Sequence, residues 1–535
     1  MVTVIDELSL LCFKAGGPPL FLGYDAGTDG LSVVAINRQG EILGQASADY
    51  GYGEGKVIPN LPQGVMQQYP QDWEKAMCVA SRDLWMQLRK NKVKFGAVCI
   101  GIGGMMHAFV RKNRKNLAPD GAPLWCDNGD SDIAKMVTAL LGIKLPQRFT
   151  ISRALGALSK NPNALTDCTG ITTPAGWLAY RCTGAFSVGA GEASGMFPVD
   201  PATKQFSAIA FEKLLTNFKG CERLKDLLPK VVCAGDFIGK LNQHGAYLTG
   251  APAGSLMVAP EGDQQCALAG SFIARPGDAA LSVGTSVVVN LLAEKEIQKI
   301  YSGIDSLVDP MFQRSYMLWI KNGAGFWDVV MNLLSQARQD KSLDDTFAAL
   351  MPLAFKAADE MPNCGGLNGL PFINSEPGLG FDKSGIALLA NLTARNLTVG
   401  NLIHLAFVLP FFGILHGLSQ LAAEGVFPKR LIVTGGLTKS QDYAGQMIAD
   451  VLNLPVFIPQ GAAEGTAYGA ATLARFGYEK NSKLEYLDFM DKLAAVQTGT
   501  TYSPRSPFNG IYANMYREYL ELAEVGRGIV ESREE

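Results

Sequence analysis

The chain has 535 residues, 47% of them hydrophobic and 18% charged, with a formal net charge of −3. That length exceeds one ordinary hydrophobic core, so two large domains are expected, and the apolar content excludes a disordered chain. Apart from the RKNRK run at 111–115, which reads as a solvated turn, there is no dense Lys/Arg block, so nothing electrostatic points to nucleic acid or an anionic membrane.

Residues 1–18 read as an extension, and FLGYDAG then begins a strand and turn. GLSVVAINRQGEILGQASADYGY alternates apolar and polar residues about Asn37 to Gly40, as a hairpin does. The next segment, QQYPQDWEKAMCVASRDLWMQLRKN, changes to helical spacing, with Trp73, Met77, Leu84 and Leu88 along one face. FGAVCIGIGGMMHAFV is a strand ending in a Gly-rich turn. After ARPGD, near 272–278, the grammar recurs. DAALSVGTSVVVNLLA (278–293) gives strand, turn and strand; 400–425 is helical; RLIVTGG (430–436) is a short buried strand; NLPVFIP is a strand; EGTAYGAATLARFG (464–477) is a helix packed through small residues. The recurrence suggests a duplicated α/β fold, with domains at 19–274 and 275–535. The greasy stretch 402–418 contains two His and Pro410 and is short for a membrane span, so it reads as a buried helix kinked at Pro410. Ten scattered cysteines, none in a C-x-x-C pair, read as buried thiols in a reducing cytosol, and no signal peptide is recognisable.

Three Gly- and hydroxyl-rich turns each follow an apolar run: DAGT (25–28), GTS (284–286) and TGG (434–436). Gly27 lets the backbone approach a ligand and Thr28 adds a donor. Asp25 repels a phosphate, so its natural partner is Mg²⁺, which offsets the phosphate charge. Gly284, Thr285 and Ser286 offer similar donors without a carboxylate. Gly435 and Gly436 suit a flat ring or a sugar lying against backbone. Together they describe a nucleoside triphosphate held by both halves of the chain.

These motifs resemble the FGGY carbohydrate kinases, of the actin–hexokinase–heat-shock-chaperone ATPase superfamily, over residues about 20 to 520. The likeness rests on LGYDAGT, MQQYPQDW (66–73), GMMHA (104–108), LWCDN (124–128), GWLAYRCTGAFSVGAGEASGMFPVD (176–200), GDQQCALAG (262–270), LSVGTS, GLPFINSEP (369–377), and VTGGLTKSQDYAGQMIADVLNLPV with AAEGTAYGAATLA (462–474). It implies two actin-like (ribonuclease H-like) α/β domains, each a mixed sheet flanked by helices, with ATP in the interdomain cleft. It also implies Mg²⁺ at Asp25 and transfer of phosphate to a sugar hydroxyl. Asp263 is the expected general base. Its place at a helix N-terminus would keep its pKa low. Asp25, Gly27, Thr28, Gly284, Thr285, Ser286, Gly435, Gly436 and Gln446 are the expected ATP-binding residues, and Met106, His107, Asp127 and Gln264 the expected sugar contacts.

The chain departs from the family at 151–162, where a Lys and a Trp are usual, and at 404–417, where an E-G pair is usual. Met105 replaces a common Gln, and LWCDNGDSD lacks the Arg often found after W-x-D. The M-H turn is similar to that of kinases for ketopentoses such as xylulose, while ribulose, sedoheptulose, erythritol or glycerol stay open. So does a nucleotide-binding member without sugar kinase activity. A dehydrogenase would need G-x-G-x-x-G, and GIGGMM at 101–106 lacks its last Gly. Oligomeric state is not legible, a homodimer being one option.

Overall fold

A computed structural model describes residues 9, 11–53, 56–284, 286–339, 342–435, 441–460, 465–480 and 485–534. The chain divides into two units: 1–274 with 307–314 and 464–495, and 275–306 with 315–463 and 496–535.

In the first unit the strands β1 (Pro19–Ala26), β2 (Gly30–Ile36), β3 (Ile42–Asp49), β4 (Ala97–Gly104), β5 (Phe237–Lys240) and β6 (Leu256–Val258) form a sheet in the order β5-β6-β4-β1-β2-β3. The short β7 (Glu261–Gly262) also pairs with β4. β1 runs antiparallel to β2 and parallel to β4, and β4 runs parallel to β6. The tight turn between β2 and β3 follows from Asn37, whose Oδ1 accepts the N–H groups of Gln39 and Glu41, and from Gly40 at φ 88°. The helix Pro70–Lys90 begins with its proline in the first turn. It buries Trp73, Met77, Leu84 and Leu88 against the sheet, as its spacing predicts. Within 1–18, Cys12 is buried and Lys14 N–H donates to Phe95 O, so the described part of this segment is docked.

In the second unit β8 (Asp278–Val283), β9 (Val287–Ala293), β10 (Ile304–Val308), β11 (Arg314–Ile320), β12 (Arg430–Thr434), β13 (Val456–Pro459) and β14 (Gly499–Tyr502) lie in the order β10-β11-β9-β8-β12-β13-β14. β8 is antiparallel to β9 and parallel to β12, and β12 is parallel to β13. A central strand with a hairpin on one side and two parallel strands on the other recurs in both sheets. The duplication suggested by the sequence is present. The helix Val399–Ala423 runs continuously through Pro410, and its middle is buried in this unit's core.

The expected C-terminal domain, 275–535, is not one continuous body. The helix Gly465–Glu479 packs on β1, β2 and β4 of the first unit. Its small residues are the cause. A Cβ added at Gly469 would lie 1.7 Å from Cys266 O, and one at Gly101 would lie 2.1 Å from Ala470 O. Only bare α-carbons allow these backbones so close.

Candidate functional site

In the first unit the expected residues converge because of strand register. Asp25 pairs with Gly103 and Ala26 with Gly104 on β4, while Glu261 and Gly262 of β7 pair with the same two glycines. Asp25 and Thr28, Met106 and His107, and Asp263 and Gln264 therefore leave the sheet at adjacent carboxyl ends of three parallel strands. Ligands of open α/β sheets bind at such an edge.

The DAGT turn is held from several sides. Gly27 N–H donates to Gly30 O, and Tyr50 Oη donates to Gly27 O at 3.0 Å. Gln68 Nε2 donates to Thr28 O at 2.8 Å, while its Oε1 accepts from Trp73 Nε1. Trp125 Nε1 donates to Thr28 Oγ1 at 3.0 Å. Sequence reasoning noticed the runs containing Gln68 and Trp125 but not that they serve this turn.

Asp263 opens the helix Asp263–Gly270, and its Oδ1 accepts the Gln264 N–H at 2.8 Å. The expectation of a low pKa is overturned. Burial pushes its carboxyl up to about 6, and the hydrogen bonds from Gln264 and Met106 oppose this only in part. Met106 and His107 are buried. His107 adopts φ 70°, its ring stacks on Phe149 at 4.6 Å, and its Nδ1 lies 3.1 Å from Gly195 O. That carbonyl can only accept, so Nδ1 carries the proton.

Asp127 is tied into the fold. Its Oδ1 pairs with Arg153 Nη1 at 2.9 Å and its Oδ2 accepts Met66 N–H at 2.8 Å, with both side chains buried. No Arg follows the W-x-D element, yet a guanidinium reaches Asp127 from the helix Thr150–Lys160.

In the second unit the hairpin after β8 is closed by Gly284 N–H donating to Ser286 O, and Ala324 N–H donates to Gly284 O. Gly435 follows β12 at φ 109°, and a Cβ there would lie 2.4 Å from Val283 O, so this turn abuts the end of β8, just before Gly284. Thr285 and Gly436 lie outside the described residues. Gln446 is engaged within its own unit, its Nε2 donating to Asp450 Oδ1 and Ser503 O. Sequence reasoning noticed the run GLPFINSEP but did not single out Glu376. It is fully buried and accepts from Asn322 N–H at 3.1 Å and Asn322 Nδ2 at 3.0 Å, which fixes the loop that ends at Ala324. Burial pushes its carboxyl up to about 7.

Among the described residues no group of three His, Cys, Asp or Glu side chains is arranged to hold a metal. Asp25, at the carboxyl end of β1, opens the donor-rich DAGT turn.

Two sheets of one strand order, each with a Gly-containing hairpin after its central strand, make up the actin-like α/β fold. The sequence model for the N-terminal domain of the FGGY family of carbohydrate kinases matches residues 20–270, and that for the C-terminal domain matches 279–478. The chain belongs to the FGGY family and is a carbohydrate kinase, with ATP as its phosphate donor. It is similar to a xylulose kinase of Haemophilus influenzae, 26% identical over 518 residues that cover 94% of this chain and 99% of that one. Its fold is similar to that of a gluconate kinase from Lactobacillus acidophilus (TM-score 0.80, 17% identity, 95% of this chain and 98% of that one). It is also similar to that of a xylulose kinase from the same organism (TM-score 0.79, 18% identity, 95% and 98%).

Proposed function

We propose that the chain transfers the γ-phosphoryl group of ATP to a hydroxyl of a ketopentose such as xylulose, with Asp263 as general base. The observation that carries this reading is the convergence of Asp25, His107 and Asp263 at the carboxyl ends of β1, β4 and β7. A carboxyl with a pKa of about 6 is ionised at neutral pH yet more basic than an ordinary aspartate, which suits a group that takes a hydroxyl proton as the P–O bond forms. The DAGT and GTS hairpins and Gly435 are the proposed nucleotide contacts. Gln446 and Asp127 are weaker candidates, because their polar atoms already serve the fold. Asp25 is the proposed Mg²⁺ ligand, and the ion would neutralise charge on the transferred group. Ketose is favoured over polyol by the Met106–His107 turn and by the xylulose kinases among the relatives.

The test is ADP release with Mg-ATP against xylulose, ribulose, sedoheptulose, erythritol, glycerol and gluconate, with Asp263→Ala as control. Release that depends on a ketose and is abolished by the substitution supports the reading. Preference for a polyol or an aldonate refutes the substrate, and an active Asp263→Ala refutes the base.

A further inference from the structure

Beneath Asp263 lies a group of buried oxygens that the reading above does not use. Glu192, in the helix Ala190–Met196, is 1% exposed, and its carboxylate oxygens have no hydrogen-bond partner of ordinary geometry, with the Thr173 hydroxyl as the donor that acts on it. Gln265 is also 1% exposed. Its Nε2 donates to Val308 O at 3.3 Å, which fixes the amide and turns Oε1 the other way, where it too has no partner. Both acceptors border the same spot beside Gly262: a Cβ built there would lie 2.6 Å from Gln265 Oε1 and 2.6 Å from Glu192 Oε2.

Acceptors crowded around one spot in a buried space repel unless a hydrogen or a cation lies between them. Among the described residues no Lys, Arg or His forms an ion pair with Glu192 or with the neighbouring Glu261. No metal-holding cluster is present there either. A proton satisfies both groups and needs no added volume.

We propose that Glu192 is a neutral acid that donates a hydrogen bond to Gln265 Oε1, and so fixes the helix turn that carries Asp263. This rests on the reading of Asp263 as the base, and Glu192 is a positioning residue for it. The titratable groups facing Glu192 are Asp263, Glu261 and Cys266, and the Thr173 hydroxyl stands beside it. The His107 ring lies against Gly195 of the same helix. Burial, together with the neighbouring carboxyls of Asp263 and Glu261, pushes the Glu192 carboxyl well above the usual range, and the Thr173 hydroxyl opposes this.

Two measurements test the proposal. The infrared difference spectrum of wild type minus Glu192→Gln, recorded without nucleotide or sugar, should contain the carbonyl band of a protonated carboxyl group. Carboxylate bands in its place overturn the proposal. In kinetics, Glu192→Gln offers an amide N–H to the same oxygen and should keep kcat within about twofold, while Glu192→Ala should lose about tenfold or more in kcat with little change in the KM for ATP. Equal losses in both variants overturn the hydrogen-bond role. A K⁺ or Na⁺ requirement that Glu192→Gln abolishes would place a cation between the oxygens and also overturn it. An active Asp263→Asn would refute the base alone, because the infrared result does not depend on turnover.

Discussion

Glu261→Gln should make the protein more stable at neutral pH, and the margin follows from the site. Glu261 is fully buried and accepts the N–H groups of Glu192 at 2.9 Å and Gly191 at 3.4 Å. A Cβ on Gly189 would lie 2.2 Å from its carboxyl carbon, so only an isosteric replacement fits. Glutamine keeps the shape and an accepting oxygen while removing the titration. Burial raises the folded carboxyl to about 8 from an ordinary 4.5. The stability this group contributes is therefore whole below pH 4.5 and is lost as the pH rises to about 8, because the unfolded chain releases the proton first. At 1.36 kcal/mol per pH unit, the wild type has lost on the order of 3 kcal/mol at neutral pH, and the variant loses none of it. Denaturant titration followed by the fluorescence of Trp73, Trp85, Trp125 and Trp177 reads the first unit. The two proteins should have similar stability near pH 4.5 and diverge towards pH 8. A gain that is the same at every pH, or a loss at neutral pH, would refute the reasoning.

Asp263→Asn should lower kcat by about a thousandfold. The wild-type kcat should fall as the pH drops through about 6, since the base works only when ionised. Glu376→Ala would leave Asn322 N–H and Nδ2 without their carboxylate acceptor. Denaturation should register a cost of about 2–4 kcal/mol, and steady-state kinetics a KM for ATP raised several-fold. Gly469→Ala drives a methyl group to 1.7 Å from Cys266 O. It should cost more than about 3 kcal/mol, read as a lower melting temperature, because backbone on both sides leaves no room to relax.

The turns, the strands and the recurrence of one sheet were legible in the sequence because Gly, hydroxyl and apolar runs are local signals. The convergence of Asp25, His107 and Asp263 follows from β1, β4 and β7 being neighbours, which motif order suggested and register supplies. What was not legible depends on burial or on distant partners. A helix N-terminus argued for a low Asp263 pKa, and desolvation outweighs it. No motif shows that Asp127 pairs with Arg153, 26 positions away, or that the Gln446 amide donates to Asp450 and Ser503. Glu192 and Glu261 were passed over, although each had a signal: an acid among small or apolar residues, in AGEASGM and VAPEGD, has little chance of reaching water.

The helix Gly465–Glu479 belongs to the first unit but is encoded after most of the second. On the ribosome, the β1–β4 face that receives it stays uncovered while the roughly 190 intervening residues are made, a wait of about 10 to 40 s at ordinary elongation rates. A nascent or truncated chain ending near Ala274 would present that apolar face to solvent. Maturation of the first unit therefore waits until that helix is made, and the interval is when a chaperone would find the most to hold.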